Sequence, residues 1–211
     1  MPDGSKNVKI ELDSITLLGI LTIPDNAKGL VVFVHGSGSS RFSPRNLKVA
    51  EFLNKENFAT LLFDLLTETE DSIFENRFNI KLITERLIKT TDWINRQPEI
   101  KNLPIGYFGA STGAAAALDA AAFFKNKIKA VISRGGRPDL SFDIGEVMSP
   151  TLFIVGGDDK IVIKLNKEAL EDLNTAKKLE IVPGAGHLFE EPGSMESVSA
   201  LAANWFKRYL K

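Results

Sequence analysis

The sequence predicts an α/β fold with a mostly parallel central sheet and helices on both faces. Three observations point there. Strand-like and helix-like segments alternate along nearly all of the 211 residues, several strand candidates are apolar throughout, and glycine-bearing turns follow them. Continuous apolar runs suit strands covered on both faces. Repeated strand–helix units pair their strands in parallel through crossover connections.

Taken in order, residues 8–12 and 15–23 (VKIEL, ITLLGILTI) read as two strands joined by a tight turn, an antiparallel start. GLVVFVHG at 29–36 is an apolar run that ends in glycine, as a central strand would. Residues 44–56 have helical periodicity, with Pro44 suited to a first turn. FATLLFDLL (58–66) reads as another buried strand, and TETEDSIFEN (67–76) as a polar stretch suited to a site rim, the mobile element if there is one. Residues 78–95 form an amphipathic helix with Ile80, Ile83, Leu87 and Trp93 near one face. A strand at 103–108 leads through a sharp turn into TGAAAALDAAAFF (112–124), a helix almost without polar atoms. Strands at 128–133, 149–157 and 178–184 follow, with helices near 163–173 and 195–210. No repeat, low-complexity tract or linker divides the chain, so one domain over 1–211 is expected.

Composition narrows the function classes. Hydrophobic residues make up 44% and charged residues 25%, ordinary for a globular protein. The 26 Lys and Arg nearly balance the 27 Asp and Glu, which gives no electrostatic reason to expect nucleic acid or an anionic membrane as partner. No apolar run reaches membrane-spanning length, and MPDGSKNVKIEL is no signal peptide, so a cytoplasmic protein is expected. Cysteine is absent, which excludes disulfides, thiolate metal sites and a cysteine nucleophile. Only His35 and His187 exist, so neither a histidine metal site nor a cofactor is expected, and a histidine base has two candidates. A small-molecule substrate is the expected partner; the oligomeric state is open.

In open α/β sheets, ligands gather at the carboxyl ends of the strands. Four ends carry suggestive groups: HGSGSS, GASTG, GGDD and GAGH. Gly109-Ala110-Ser111-Thr112-Gly113 matches G-x-S-x-G between an apolar strand and an Ala-rich helix, the context of a nucleophile elbow. Such a turn is too tight for side chains two positions either side of the serine. The helix start beyond it offers free N–H groups to negative charge. Asp158 and Asp159 compete as the acid, with Asp139 and Asp143 behind them. Arg41 and Arg45 follow the HGSGSS loop, and Arg134 and Arg137 follow a strand end. Of these, Arg134 and Arg41 are the candidates to hold an anionic substrate group.

From the HGSGSSRFSPRN loop through FDLL, GASTG, SRGGRPDL and GGDD to PGAGH, the chain resembles the dienelactone-hydrolase-like branch of the α/β-hydrolase superfamily. The resemblance implies an α/β-hydrolase fold in a compact, mostly lidless esterase or lactonase. It would cleave a small carboxylic ester, thioester or lactone through an acyl-enzyme on Ser111. The order serine, acid, histidine then selects His187 as base and leaves His35 to shape its loop. Asp159 is favoured over Asp158 because Gly156, Asp159 and Val162 fit a spacing common in hydrolases. The oxyanion donors would be the backbone N–H groups of Thr112 and Ser37, or Gly38 if the loop is shifted by one.

The namesake enzymes use cysteine where this chain has Ser111, which points away from dienelactones toward ordinary ester or thioester hydrolysis. The 47 residues between Ser111 and Asp159 are filled by strand and helix signals, so no large cap is expected. Some relatives carry a fused phosphoribosyltransferase domain, for which this length leaves no room. An acyltransferase, a small-peptide hydrolase and a non-catalytic binding protein are alternatives on the same residues.

Overall fold

In the computed structural model, which describes residues 4–211, eight strands form one sheet. They are β1 (Ser5–Leu12), β2 (Ile15–Thr22), β3 (Leu30–Val34), β4 (Ala59–Phe63), β5 (Ile105–Ala110), β6 (Ile128–Arg134), β7 (Thr151–Gly156) and β8 (Lys177–Val182). The helices are α1 (Pro44–Lys55), α2 (Glu68–Asp71), α3 (Ile80–Ile94), α4 (Thr112–Phe124), α5 (Lys160–Asp172) and α6 (Ser194–Tyr209). Residues 1–3 of the expected domain lie outside the described residues.

The strand order is β1-β2-β4-β3-β5-β6-β7-β8. The β1–β2 and β2–β4 pairs are antiparallel and all later pairs are parallel, as the sequence predicts. The chain runs from β3 to β4 on one side and then returns to place β5 on the other side of β3. That reversal opens a crevice beyond the carboxyl ends of β3 and β5.

Strand periodicity divides the core into two layers. Leu30, Val32 and Val34 face one side with Leu61, Phe63, Tyr107 and the alanines of α4. Val31 and Phe33 face the other, with Phe58, Phe108, Trp205 and Phe206. Each Val, Leu or Phe among these contributes about 1.5–3 kcal/mol on burial. Helix α1 starts where Ser43 Oγ accepts the Asn46 N–H, with Pro44 in the first turn where its missing donor costs nothing. TETEDSIFEN is more ordered than its polarity suggests. Thr67 and Glu70 form a reciprocal cap on α2, a 3-10 turn covers Phe74–Phe78, and Arg86 and Arg77 pair with Glu70 and Asp71. Two of its charges, Glu70 and Asp71, are spent on pairing within the chain.

The alanine face lets α4 lie close to the sheet. A Cβ on Gly113 would stand 2.3 Å from the carbonyl oxygens of Val34 and His35, and one on Gly109 would stand 2.5 Å from Ala114 Cα. Both clashes are with backbone and cannot relax by a rotamer change. Gly113→Ala is therefore expected to cost at least about 1–3 kcal/mol. Urea unfolding of the variant checks this, and an unchanged midpoint would contradict the contact.

Candidate active site

At the end of β5 the chain turns straight into α4. Ser111 sits in that turn with φ of 51°, a conformation that side chains rarely adopt and that costs about 1–3 kcal/mol. Several hydrogen bonds hold it there. Ser111 N–H donates to Arg134 O at 3.2 Å, while Ser111 O accepts from Ala114 N–H and Arg137 N–H, each at 3.1 Å. The 134–137 segment therefore clamps the elbow from the β6 side. Gly36 closes it from β3, where a Cβ would lie 3.0 Å from Ser111 Cβ.

His187 lies beyond β8, over the same clamp. Its Cε1 is 3.7 Å from the point a Gly135 Cβ would occupy. Asp159 Oδ2 is 2.6 Å from His187 Nδ1. A carboxylate can only accept, so Nδ1 carries the proton and the Nε2 lone pair is left free. Asp159 Oδ1 also accepts the Val162 N–H at 3.3 Å, which makes this residue the N-cap of α5. That cap starts the helix at Lys160, earlier than the expected 163. Asp158 is exposed, and Asp139 is paired with Arg137, so Asp159 is the aspartate brought to His187. Among the described residues the Ser111 hydroxyl makes no hydrogen bond; such contacts commonly tighten only with substrate in place.

His35 shapes its loop. Nδ1 donates to Gly36 O at 2.9 Å and Nε2 accepts the Leu65 N–H at 3.2 Å. The second bond needs an unprotonated Nε2, and burial lowers the ring's pKa below the ordinary 6.5. The loop it fixes corrects one expectation. The Ser37 N–H does not stand open toward an oxyanion; it donates to Thr112 Oγ1 at 2.8 Å. The Thr112 N–H, in the first turn of α4, has no backbone acceptor among the described residues.

The arginines differ from expectation as well. Arg41 is committed to Asp64, which accepts from both its backbone and its guanidinium. Arg134 is only 5% exposed and points between β6 and α1, where Asn46 Oδ1 accepts from it at 3.3 Å and the Phe189 ring covers it. Burial first, and then Arg45, push its pKa down to about 10, so it stays charged at neutral pH. Neither guanidinium is presented for gripping a substrate anion.

The sequence reading passed over Asn46 and Asn166. Asn166 is fully buried and donates to Gly136 O at 3.0 Å, tying α5 to the clamp around Ser111. A signal existed, since Asn166 shares an apolar stripe with Val162 and Ala169. Among the described residues no group of His, Asp or Glu side chains is gathered to hold a metal ion, and no helix is long and apolar enough to cross a membrane.

The profile of the dienelactone hydrolase family matches residues 17–210. A curated relative from Mycobacterium tuberculosis, named "Putative phosphoribosyl transferase", is 51% identical over 210 residues. The match covers 99% of this chain but 47% of the relative, so the chain spans about half the relative's length. The crystal structure of a dienelactone hydrolase from Anabaena variabilis superposes with a TM-score of 0.95 at 50% identity, over 98% of both chains. A serine hydrolase without lid from Xanthomonas campestris shares the fold at 19% identity and a TM-score of 0.81, over 100% of this chain and 97% of the other.

Two outcomes follow from this geometry. Asp159→Ala should cost about 1 kcal/mol of stability through the lost α5 cap, whereas Asp158→Ala should cost close to none; chemical denaturation of both compares them. For His35, the unfolded chain takes up the proton more readily than the folded one. Stability present above pH 6.5 is then lost as the pH falls below it. The melting temperature should drop as the pH falls below 6.5, and by less in His35→Asn, which lacks the titrating ring.

Proposed function

The chain belongs to the dienelactone hydrolase family, and on that premise we propose that it is a serine hydrolase of small, uncharged carboxylic esters, thioesters or lactones. The observation that carries this reading is Ser111 held at positive φ beside the Asp159–His187 pair. Ser111 Oγ attacks the carbonyl carbon and gives its proton to His187 Nε2. The carbonyl electron pair moves onto oxygen, next to the Thr112 N–H and the positive end of α4. Collapse expels the alcohol or thiol, which leaves with the proton from His187. Water then attacks the acyl-enzyme, passing a proton back through His187, and the acid departs as Ser111 regains its hydrogen. Asp159 keeps the imidazole in the tautomer this requires.

The surroundings support a small, neutral substrate. A cleft of about 10 Å³ beside the 36–38 loop, walled by Leu65, Leu66 and Ile83 with Asp71 and Arg77, has room for about one water and none for a long acyl chain. A neighbouring cleft of about 170 Å³ carries Glu68 beside Asp64 and Asp71, which Arg41 and Arg77 already match, so among the described residues no free cation lines it to favour an anion. Phe42, Phe74, Phe78, Phe142, Ile161 and Leu188 are exposed on segments that follow the carboxyl ends of strands and offer apolar contact to the rest of the molecule. We attribute the transferase in the relative's name to the half of that protein this chain does not span.

A fluorophosphonate probe should label the wild type at one site, mapped to the peptide containing Ser111, and should leave Ser111→Ala unlabelled. On short p-nitrophenyl esters, Ser111→Ala and His187→Ala should each lose on the order of 10⁴-fold or more in kcat. A folded wild type that takes no label would sink the proposal.

A further inference from the structure

The Ser37–Thr112 contact has chemical content beyond closing a loop. Thr112 Oγ1 accepts the Ser37 N–H at 2.8 Å, so one lone pair of the hydroxyl is fixed. Its own proton has no acceptor among the described residues. The residue is 5% exposed, which leaves little water to satisfy that proton. The hydroxyl and the N–H that lacks a backbone acceptor belong to the same residue, in the first turn of α4 next to Ser111.

We propose that the Thr112 hydroxyl is the second oxyanion donor, beside the Thr112 N–H, and that Ser37 acts through it rather than directly. This inference rests on the reading of Ser111 as nucleophile. The Ser37 N–H holds the hydroxyl in one rotamer and, by donating to it, strengthens the bond it gives onward. His35 contributes at one remove: by fixing the Gly36 carbonyl it sets the peptide plane that aims the Ser37 N–H at Thr112. The charge forms on the carbonyl oxygen only as Ser111 adds to carbon, so the hydroxyl stabilises the transition state more than the bound ester.

The test compares Thr112→Val, which keeps the shape and deletes the hydroxyl, with Thr112→Ser, which keeps the hydroxyl. The readouts are kcat and KM on a short p-nitrophenyl ester, the rate of fluorophosphonate labelling, and the melting temperature. Thr112→Val should lose about 100-fold in kcat with KM changed by less than about 3-fold, the scale of one lost oxyanion donor. Its labelling should slow in parallel, and Thr112→Ser should stay within about 5-fold of wild type, a margin well below the loss of a donor. A labelled, active wild type alongside a Thr112→Val variant that keeps or gains activity would overturn this inference alone; the hydroxyl would then be a plug on the Ser37 N–H. Equal loss in both variants, tracking their melting temperatures, would make Thr112 structural and overturn it too. A wild type that takes no label would overturn the Ser111 assignment and this one with it.

Discussion

Because Gly109 and Gly113 carry no side chains, α4 lies against β3 and β5 closer than any other residue would allow, and the place of Ser111 follows from that approach. Had the helix stood further out, the turn at Ser111 could relax to negative φ and its side chain would fall back toward the sheet. Instead the strain is balanced by three backbone hydrogen bonds and by the 134–137 segment pressed onto the turn. The alanines of α4 serve the same end, since a helix of larger side chains could not seat its first turn on the carbonyls of Val34 and His35.

Polar groups inside the molecule bind that elbow to the rest of the site. Asp159 spends one carboxylate oxygen on His187 and the other on the start of α5, so the orientation of the imidazole and the position of the helix are coupled. The same helix returns through Asn166 to Gly136, next to Ser111. On the opposite face Arg134 is buried without a carboxylate partner, held by Asn46 and covered by Phe189. Removing a cation from water in this way opposes folding, and an orphaned Nε adds to the cost. The surrounding apolar core must offset it.

Much of this was legible beforehand. The alternation of apolar runs with amphipathic stretches located every large strand and helix, because burial on both faces of a parallel sheet leaves continuous apolar runs in the chain. The glycine spacing around Ser111 marked the elbow for the same steric reason that the structure displays. Choosing between Asp158 and Asp159 needed more, since a shift of one residue in a loop turns a side chain from solvent to the interior; the cap on α5 settles which one faces His187. The order in 67–78 escaped the sequence reading because internally paired charges look the same as solvated ones.

The sequence by itself determined the layered α/β fold, the turn that lifts Ser111, and the pair of histidines from which a base could come. Those features depend on local sterics and on the period of hydrophobicity, which neighbouring residues encode. Tertiary structure alone decided the partners of polar atoms far apart in the chain: Ser37 with Thr112, Arg41 with Asp64, Arg134 with Asn46. A hydrogen-bonding group carries no record of its partner in its own sequence neighbourhood. Its choice is made only when strands and helices have closed around it and water is gone.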